Sequence, residues 1–390
     1  MNLTLRAFLA AARAALAAPP AERTLPLTFV VGNESAGKVA ISISDLDSLC
    51  SAVVYAYLRT NGKQQSLHIP LSNLPRADLA LRTEMTAVLK NADLLPSDLL
   101  TLSELPDLRP EDTRWLLIDH NSLTGPLRKF ESQVIGCIDH HVDEGTIPKD
   151  KSPRIIEPCG SCMSLVVEES RKLWEAVAAG SHHSEDEKLA RLALAPVLID
   201  TINLTAKDKT KPKDRSAAEF LQGKMKDEKF DLKAYYKGIE AVKEDISELS
   251  FRDIFRKDYK EWTDGGLKLG ISCAVQNFDY LLHKTKGSAH EFFDKLGDWA
   301  EERELDIISV MTTSHPGGEF QRHLLVWARS DEAIAAMQKF AKISDSLELE
   351  TYENGEHDKA GRRMTWRQKN LAASRKQVSP LLREAMKCRM

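Results

Sequence analysis

Three apolar runs in the first half of the chain each end abruptly in an acidic residue. Residues 134–138 run into Asp139-His140-His141, residues 115–118 into Asp119-His120-Asn121, and residues 196–199 into Asp200. A run of four to eight apolar residues bounded by polar ones is typical of a buried parallel strand. Open α/β sheets place their chemistry at the carboxyl ends of such strands. The pattern therefore predicts that these acids meet at one edge of a sheet.

Apolar runs alternate with segments of helical periodicity over residues 1–206. Strands are predicted at 25–31, 65–71, 115–118, 134–138 and 154–157, and helices at 48–58, 77–89, 125–132, 161–178 and 188–203. The run before Asp200 thus also fits the end of a helix. The alternation predicts an α/β fold with a parallel, doubly wound sheet.

The second half of the chain has a different pattern. Residues 207–230 are polar and rich in lysine, with Pro212 and Gly223, which predicts a linker between two domains. Residues 231–390 combine helical segments at 232–254 and 289–303 with strands at 267–275, 305–312 and 323–328. This part is predicted to be a smaller, mixed α/β domain.

Composition narrows the classes of protein that remain. The 54 Lys and Arg nearly balance the 58 Asp and Glu, which argues against nucleic-acid binding, although residues 351–390 hold 10 basic against 4 acidic residues and could meet a polyanion. Six scattered cysteines without a secretory signal predict a reducing, cytoplasmic environment. No apolar run is long enough to span a membrane. Residues 1–23 match a mitochondrial presequence in composition, but we favour a short helix packed on the first domain.

Carboxylates and imidazoles from several element ends form a candidate metal site. Its members are Asp45, Asp47, Asp119, His140 and Asp200, with His141 adjacent. Such oxygen and nitrogen donors suit hard or borderline divalent cations. Neighbouring residues of an extended segment point to opposite sides, so His140 and His141 are predicted to have different roles.

Two other motifs allow competing interpretations. Gly32 through Gly37-Lys38 fits part of a phosphate-binding P-loop, but Val39 stands where that motif needs Ser or Thr. Cys159 and Cys162 have the spacing of a redox pair, without a matching second half for zinc. We disfavour both interpretations.

The acidic and histidine motifs together identify a family. Asp139-His140-His141, with Asp119-His120-Asn121 and Asp45-Leu46-Asp47-Ser48, resembles the DHH phosphoesterase superfamily. Asn33-Glu34-Ser35-Ala36, Asp200-Thr201-Ile202-Asn203 and Ser374-Arg375-Lys376-Gln377 look most like fungal exopolyphosphatases, relatives of the manganese-dependent family II pyrophosphatases. The resemblance covers nearly the whole chain, with a DHH domain over residues 1–206 and a DHHA2 domain over 231–390.

This resemblance implies a monomeric exopolyphosphatase that removes terminal phosphate from inorganic polyphosphate with two divalent metal ions, Mn²⁺ or Mg²⁺ and alternatively Co²⁺. The implied metal ligands are Asp45, Asp47, Asp119, His140 and Asp200, with Asp119 bridging the two ions. The implied catalytic residues are Asp119, His141, Arg375 and Lys376, and the implied substrate contacts are Asn33, His141, Lys260, Ser374, Arg375 and Lys376. Asn33 stands where the pyrophosphatases carry a histidine ligand.

One departure from the family pattern leaves alternatives open. Residues 37–44 intervene between the Asn33 motif and the Asp45 motif, which the family joins directly. The chain is therefore alternatively a catalytically impaired polyphosphate-binding protein. A short-chain polyphosphatase, a pyrophosphatase and a nucleotide phosphodiesterase are further alternatives within the superfamily. Deletion of residues 37–44 is expected to preserve the fold and to raise activity at least roughly tenfold, which equals about 1.4 kcal/mol of barrier.

Overall fold

The computed structural model describes residues 2–33, 44–62, 66–79, 81–226, 230–284 and 289–387, except for the side chains of residues 44, 45, 243 and 244. Apart from the backbone of Ser44, residues 37–44 lie outside the described residues, and so does the P-loop candidate Lys38. The chain divides into two compact units, with the boundary between Lys243 and Glu244.

The first unit is a parallel sheet with helices on both faces. Its elements are α1 (Leu5–Ala17), β1 (Leu27–Val31), α2 (Ser44–Asn61), β2 (His68–Leu71), α3 (Arg76–Leu79), α4 (Thr83–Asn91), β3 (Thr113–Ile118), β4 (Val134–Asp139), β5 (Arg154–Ile156), α5 (Cys162–Ala178), α6 (His183–Asp200), α7 (Pro212–Gln222) and α8 (Leu232–Glu244). The strand order is β2-β1-β3-β4-β5, and every pairing is parallel. The predicted α/β class and parallel sheet are confirmed.

Successive residues of the central strands feed two separate cores, because side chains alternate across a sheet. Val30, Leu116 and Ile138 pack with α2, α5 and α6 on one face. On the other face Phe29 stacks on Trp115 with ring centroids 4.5 Å apart, and the core includes residues from the end of α1. Helix α1 therefore packs on the first unit, as favoured from the sequence.

Three local predictions for this unit differ from the structure. The strand interpretation of the run before Asp200 is wrong, whereas the helix predicted at 188–203 is confirmed as part of α6. This helix is buried on nearly every side and therefore has no readable period. The helix predicted at 77–89 is broken into α3 and α4. Residues two apart face different sides of a continuous helix, so the break is what allows both Leu79 and Leu81 to be buried. Residues 125–133 form 3-10 turns, whose period matches the spacing of Leu127 and Phe130.

The predicted linker also differs from the structure. Residues 207–230 contain α7, whose Asp214, Ala217, Ala218 and Leu221 are buried. Asp214 accepts hydrogen bonds from the backbone N–H groups of Gly160, Ser161 and Lys211 and from the hydroxyl of Ser164. Helix α7 is thus an integral part of the first unit.

The second unit is built on a mixed six-stranded sheet. Its elements are α9 (Phe251–Lys257), β6 (Tyr259–Asp264), β7 (Leu267–Ala274), α10 (Phe278–His283), α11 (Ala289–Glu302), β8 (Ile307–Thr312), β9 (Arg322–Ala328), α12 (Asp331–Ile343), β10 (Leu349–Thr351), β11 (Arg363–Gln368) and α13 (Arg375–Met386). The strand order is β10-β11-β9-β8-β7-β6, and only β7 and β8 pair in parallel. Helices α9, α10 and α11 cover one face, and α12 and α13 cover the other. The predicted mixed α/β class is confirmed.

Within the described part of the chain, no helix has both the length and the apolar character needed to cross a bilayer.

Candidate metal centre and phosphate-binding cleft

Asp119 lies directly after β3 and is completely buried. Its backbone has a φ of +67°, a left-handed conformation that is uncommon outside glycine and that often occurs at functional sites. Its Oδ2 atom accepts a hydrogen bond from the hydroxyl of Ser48. Its Oδ1 atom has no hydrogen-bond partner of good geometry among the described residues and lies 3.1 Å from Nε2 of His140. This oxygen is thus available to a ligand.

The two histidines after β4 make different contacts, but they do not point to opposite sides as expected, because their rings lie edge-on with centroids 4.6 Å apart. Nδ1 of His140 lies 2.9 Å from the carbonyl oxygen of Cys159, to which only a protonated nitrogen can donate. Nε2 of His140 is therefore the nitrogen that faces Asp119. Nδ1 of His141 instead lies 2.8 Å from Oδ1 of Asp139, and the side chain is 47% exposed. His141 can therefore present its Nε2 atom to a bound molecule.

Asp139 holds the backbone and the histidine ring of this turn. Its Oδ1 atom accepts the backbone N–H of His140 and of His141 in addition to the ring of His141, and its Oδ2 atom accepts from the amide of Asn121. The Asn121 amide also donates to the carbonyl of Val142 at 3.0 Å. Asp139 is thus occupied by orienting contacts.

Asp47 lies in the first turns of α2 and is also completely buried. It accepts the backbone N–H groups of Cys162 at 2.6 Å and Met163 at 3.0 Å, at the amino end of α5, and the hydroxyl of Ser51 at 3.0 Å. The carboxylate therefore sits at a helix amino terminus, where the partial positive charge stabilises it. It also acts electrostatically on Asp119, His140 and Asp200.

Asp200, the last residue of α6, completes the acidic cluster. Its Oδ2 atom is buried and has no hydrogen-bond partner among the described residues. Burial, followed by the charges of Asp47 and Asp119, raises its pKa well above the usual range for aspartate. Burial and Asp47 likewise raise the pKa of Asp119 to about 6, against the opposing effect of His140. Ionising these neighbouring buried carboxyl groups together is therefore unfavourable unless positive charge lies close to them.

The His140 ring responds to the same charges in the opposite direction. Burial disfavours its protonated form, but Asp119 and Asp47 outweigh that effect and raise its pKa to about 10. A proton on His140 thus compensates part of the carboxylate charge when no cation is present.

These residues fit a divalent metal centre. Two donors bound to one ion at about 2.1 Å and at right angles lie about 3 Å apart, which matches the 3.1 Å between Asp119 Oδ1 and His140 Nε2. The unpartnered oxygen of Asp200 offers another buried donor. Oxygen and imidazole donors of this kind suit Mn²⁺, Mg²⁺ and Co²⁺.

Two predicted residues of this site are described only in part. Asn33 follows β1 and is partly exposed, and no contact connects it with the acidic cluster in the described chain. Asp45 lies in the first turn of α2, but its side chain is outside the described part. Gly32 has a packing role, because a Cβ atom there would lie 2.8 Å from the carbonyl oxygen of Ser48 in α2. This close approach explains the glycine without a P-loop.

The basic residues predicted to bind substrate lie together in the second unit. Lys260, Ser374, Arg375 and Lys376 line a cleft of about 510 Å³. Nη2 of Arg375 lies 2.7 Å from Oδ1 of Asp258. Burial lowers the pKa of Lys260, and the positive charges of Arg375 and Lys376 lower it further, while Asp258 opposes them. The cleft therefore concentrates positive charge.

The Ser374 motif is positioned by its own helix. The Ser374 hydroxyl accepts the backbone N–H of Lys376 at 3.2 Å, and the Gln377 side chain accepts the backbone N–H of Ser374 at 2.8 Å. This reciprocal arrangement is a capping box, which fixes the start of α13. Arg375 and Lys376 are thereby held in the first turn of that helix.

Sequence reasoning did not identify the orienting residues Asp139, Asn121, Ser48 and Asp258. Three of them belong to motifs that the sequence does show, but the spacing of a motif does not separate a ligand from the residue that orients it. Only the hydrogen bonds make that distinction.

Comparison with known proteins is consistent with this architecture. Residues 237–385 match the DHHA2 domain family. The chain is 33% identical over 374 residues to the putative exopolyphosphatase of Schizosaccharomyces pombe, covering 92% of this chain and 91% of that protein. It is 26% identical over 391 residues to the exopolyphosphatase PRUNE1 of Homo sapiens, covering 97% of this chain and 79% of that protein.

A more distant relative is a manganese-dependent inorganic pyrophosphatase of Methanothrix thermoacetophila, 24% identical over 289 residues, which cover 73% of this chain and 80% of that protein. A buried acidic and histidine centre at the strand ends of a parallel sheet, in a chain with a DHHA2 domain, defines a phosphoesterase of the DHH superfamily. Within that superfamily the chain belongs to the exopolyphosphatase family. It is a metal-dependent phosphoanhydride hydrolase.

Proposed function

We propose that this protein is an exopolyphosphatase, which releases orthophosphate from the end of inorganic polyphosphate with two divalent metal ions. The observation that supports this most strongly is the unpartnered Oδ1 atom of Asp119, buried and 3.1 Å from Nε2 of His140. This distance suits two donors of one metal ion, and a bound cation would compensate the buried carboxylates more fully than the proton on His140 does.

Asp47, Asp119, His140 and Asp200 would hold the metal ions, with Asp119 shared between the two, and Asp45 is proposed as a fifth ligand. When bound, the ions would lower the pKa of the attacking water and neutralise phosphate oxygens. Ser48 and the carbonyl of Cys159 keep Asp119 and His140 aimed at the site through the contacts described above.

His141 is proposed to contact the terminal phosphate. Its hydrogen bond to Asp139 raises its pKa, against the effect of burial, so the ring stays cationic to higher pH than an isolated imidazole. With Nδ1–H donated to Asp139, the Nε2–H is free to donate to a phosphate oxygen and to stabilise charge that develops there.

The cations of the second unit are proposed to bind the remaining phosphates. Arg375 offers a planar fork that matches phosphate oxygens, while Lys260 and Lys376 contribute point charges. Ser374 fixes the turn that presents Arg375 and Lys376. Asn33 is proposed as a further substrate contact, where an amide replaces the metal-binding imidazole of the pyrophosphatases.

Purified full-length protein with Mn²⁺ or Mg²⁺ should release orthophosphate from long-chain polyphosphate, and Asp119→Asn should not. Metal analysis should count two ions per chain. Comparison of long-chain polyphosphate with tripolyphosphate, pyrophosphate and a dinucleotide separates the exopolyphosphatase from the other activities of the superfamily. A folded sample that releases no phosphate from polyphosphate with any divalent metal would refute the proposal.

A further inference from the structure

Arg322 is a cation of the second-unit cleft that belongs to none of the sequence motifs. It is the first residue of β9 and lines the same cleft as Lys260, Arg375 and Lys376. Its Nε–H donates to the carbonyl oxygen of Leu371 at 2.8 Å, and its guanidinium lies 4.9 Å from the centre of the Phe320 ring. These two contacts fix the plane of the guanidinium while its Nη atoms are left for another acceptor.

The charge of Arg322 has no acidic partner among the residues that the structure describes. Arg375, in contrast, forms an ion pair with Asp258. Arg322 is only partly exposed, and burial lowers its pKa. A partly desolvated cation without a counter-charge is unfavourable until an anion binds. The free energy of anion binding to the cleft is therefore most favourable when the anion reaches Arg322.

The cleft as a whole is strongly positive. Five of its lining side chains are basic and one is acidic, namely Lys257, Lys260, Arg322, Arg375 and Lys376 against Asp258. A cleft lined by one sign of charge concentrates ligands of the opposite sign. This excess of positive charge is larger than a single phosphate group requires.

Arg322 stands apart from Lys260, another of the proposed phosphate ligands. Lys260 lies on β6 and Arg322 on β9, and β7 and β8 separate these strands in the sheet. Three strand spacings correspond to about 14 Å. Cys273 of β7, a strand that lies between β6 and β9 in the sheet, also lines the cleft. The cations are thus spread along the cleft.

We propose that Arg322 forms a separate phosphate subsite, which holds a phosphate of the bound chain remote from the one that is cleaved. The subsite makes long polyphosphate bind more tightly than pyrophosphate, because only a chain of several phosphates reaches from Lys260 to Arg322. The guanidinium fork is suited to two oxygens of one phosphate. This inference rests on the proposed function and specifies what selects the length of its substrate.

Equilibrium binding to metal-free, full-length protein tests the subsite without turnover. Dissociation constants of long-chain polyphosphate and of pyrophosphate are measured for the wild type, Arg322→Gln and Arg322→Lys. We expect Arg322→Gln to weaken the long chain about tenfold, equal to about 1.4 kcal/mol, and to change pyrophosphate binding less than about twofold. Arg322→Lys keeps the charge and loses the planar guanidinium fork. Its dissociation constant for the long chain should lie between those of the wild type and Arg322→Gln.

Arg362→Gln is the matched control. Arg362 belongs to the same unit but is exposed and paired with Asp331 at 2.8 Å, so its removal should leave both dissociation constants unchanged. Equal weakening of both ligands by Arg322→Gln, no weakening of either, or the same loss in Arg362→Gln would each overturn the subsite. Circular dichroism of each variant confirms that the fold is retained.

Failure of the subsite and failure of the proposed function give different results. If wild-type protein with Mn²⁺ or Mg²⁺ releases no phosphate but long-chain binding still depends on Arg322, the subsite stands and the exopolyphosphatase does not. If phosphate is released and Arg322→Gln leaves the KM for the long chain unchanged, the proposed function is supported and the subsite is refuted.

Discussion

Nδ1 of His141 lies 2.8 Å from Oδ1 of Asp139, two residues earlier in the chain. The same oxygen accepts the backbone N–H of His140 at 2.8 Å and of His141 at 3.2 Å. One buried carboxylate thus sets both the backbone of the turn and the direction of the His141 ring. The first residue of the Asp-His-His motif therefore orients the residues that follow it.

Asp139→Asn should lower kcat about 10- to 100-fold, the usual effect of removing an orienting residue, and should leave bound metal unchanged. The amide can still accept the backbone hydrogen bonds, but it carries no charge to stabilise a protonated His141. Phosphate release and metal content, measured on the same sample, check this outcome.

His141→Ala provides the matched comparison, because Asp139 is proposed to act through that ring. The double variant Asp139→Asn/His141→Ala should be no less active than His141→Ala alone, since the effects of changing residues that act as a unit are not additive. Loss of metal in Asp139→Asn would show instead that Asp139 is a ligand.

Asp119→Asn should lose more activity than any other single change in the first unit, at least roughly a thousandfold or about 4 kcal/mol of barrier. A carboxylate shared by two ions supports both, so its loss affects both at once. Ser48→Ala removes only the hydrogen bond to Oδ2 and should lower activity less than about tenfold. Parallel assays and metal counts on the two variants check the order, and an equal loss in both would contradict the bridging role.

The centre of the first unit could be predicted from the sequence because its strands have a clear sequence pattern. The runs that form β3 and β4 are apolar on both faces, and each ends in a polar motif at the same edge of the sheet. Asp200 ends α6, as the helix predicted at 188–203 implies, although the run before it also fitted a strand. Helix α6 is buried almost all round, so its sequence has the apolar continuity of a strand.

The error at residues 207–230 has a different physical origin. The buried positions of α7 are Asp214, two alanines and Leu221, which give little apolar signal. Asp214 can be buried because the loop before α5 and the first turn of that helix, some 50 residues earlier, donate several hydrogen bonds to it. A partner so distant in the chain leaves no local pattern.

In the second unit the sequence identified the cations that belong to a motif and missed the one that does not. Arg375 and Lys376 stand next to the capping residue Ser374, which marks the helix start. Arg322 is a single arginine before an apolar strand, and its position in the cleft depends on the order of β6, β7, β8 and β9. The carbonyl that orients Arg322 belongs to Leu371, 49 residues later in the chain, and so distant a partner leaves no local pattern.

Removal of metal should destabilise the protein. A ligand at 100 times its Kd contributes about 2.7 kcal/mol, so Mn²⁺ at that level should raise Tm by roughly 5–10 °C over a chelated sample. Asp200→Asn should raise the Tm of the chelated protein, because it removes one of three crowded buried carboxylates. The same variant should show a smaller metal-induced shift. Differential scanning fluorimetry with and without chelator measures all four values.

Asp298→Asn serves as control for that experiment, because Asp298 is exposed in the second unit and is paired with Lys295. Its two Tm values should match those of the wild type. A wild-type Tm that is the same with and without chelator would count against Asp200 as a ligand. So would a metal-induced Tm shift in Asp200→Asn as large as that of the wild type.

His323, buried in the second unit, should make the protein sensitive to acid. Its ring stacks on Phe278 at 5.4 Å and lies edge-on to Tyr352 at 5.0 Å. Burial and, to a smaller extent, the charge of Arg367 lower its pKa to about 4, against the opposing effect of Asp279. In the unfolded chain the imidazole returns to an ordinary pKa near 6.5, so between these values the unfolded state binds more protons. The stabilising contribution is therefore complete above about pH 6.5 and is lost as pH falls towards 4.

His323→Phe tests this, because phenylalanine can keep the stacking on Phe278 but cannot bind a proton. The free energy of unfolding of the wild type should fall between pH 6.5 and 4 by about 3 kcal/mol more than that of the variant. Urea unfolding at a series of pH values, followed by tryptophan fluorescence, measures the difference. His290→Gln, a change at an exposed histidine, should retain the wild-type slope. Parallel pH profiles for the wild type and His323→Phe would show that His323 is not the group that makes the second unit sensitive to acid.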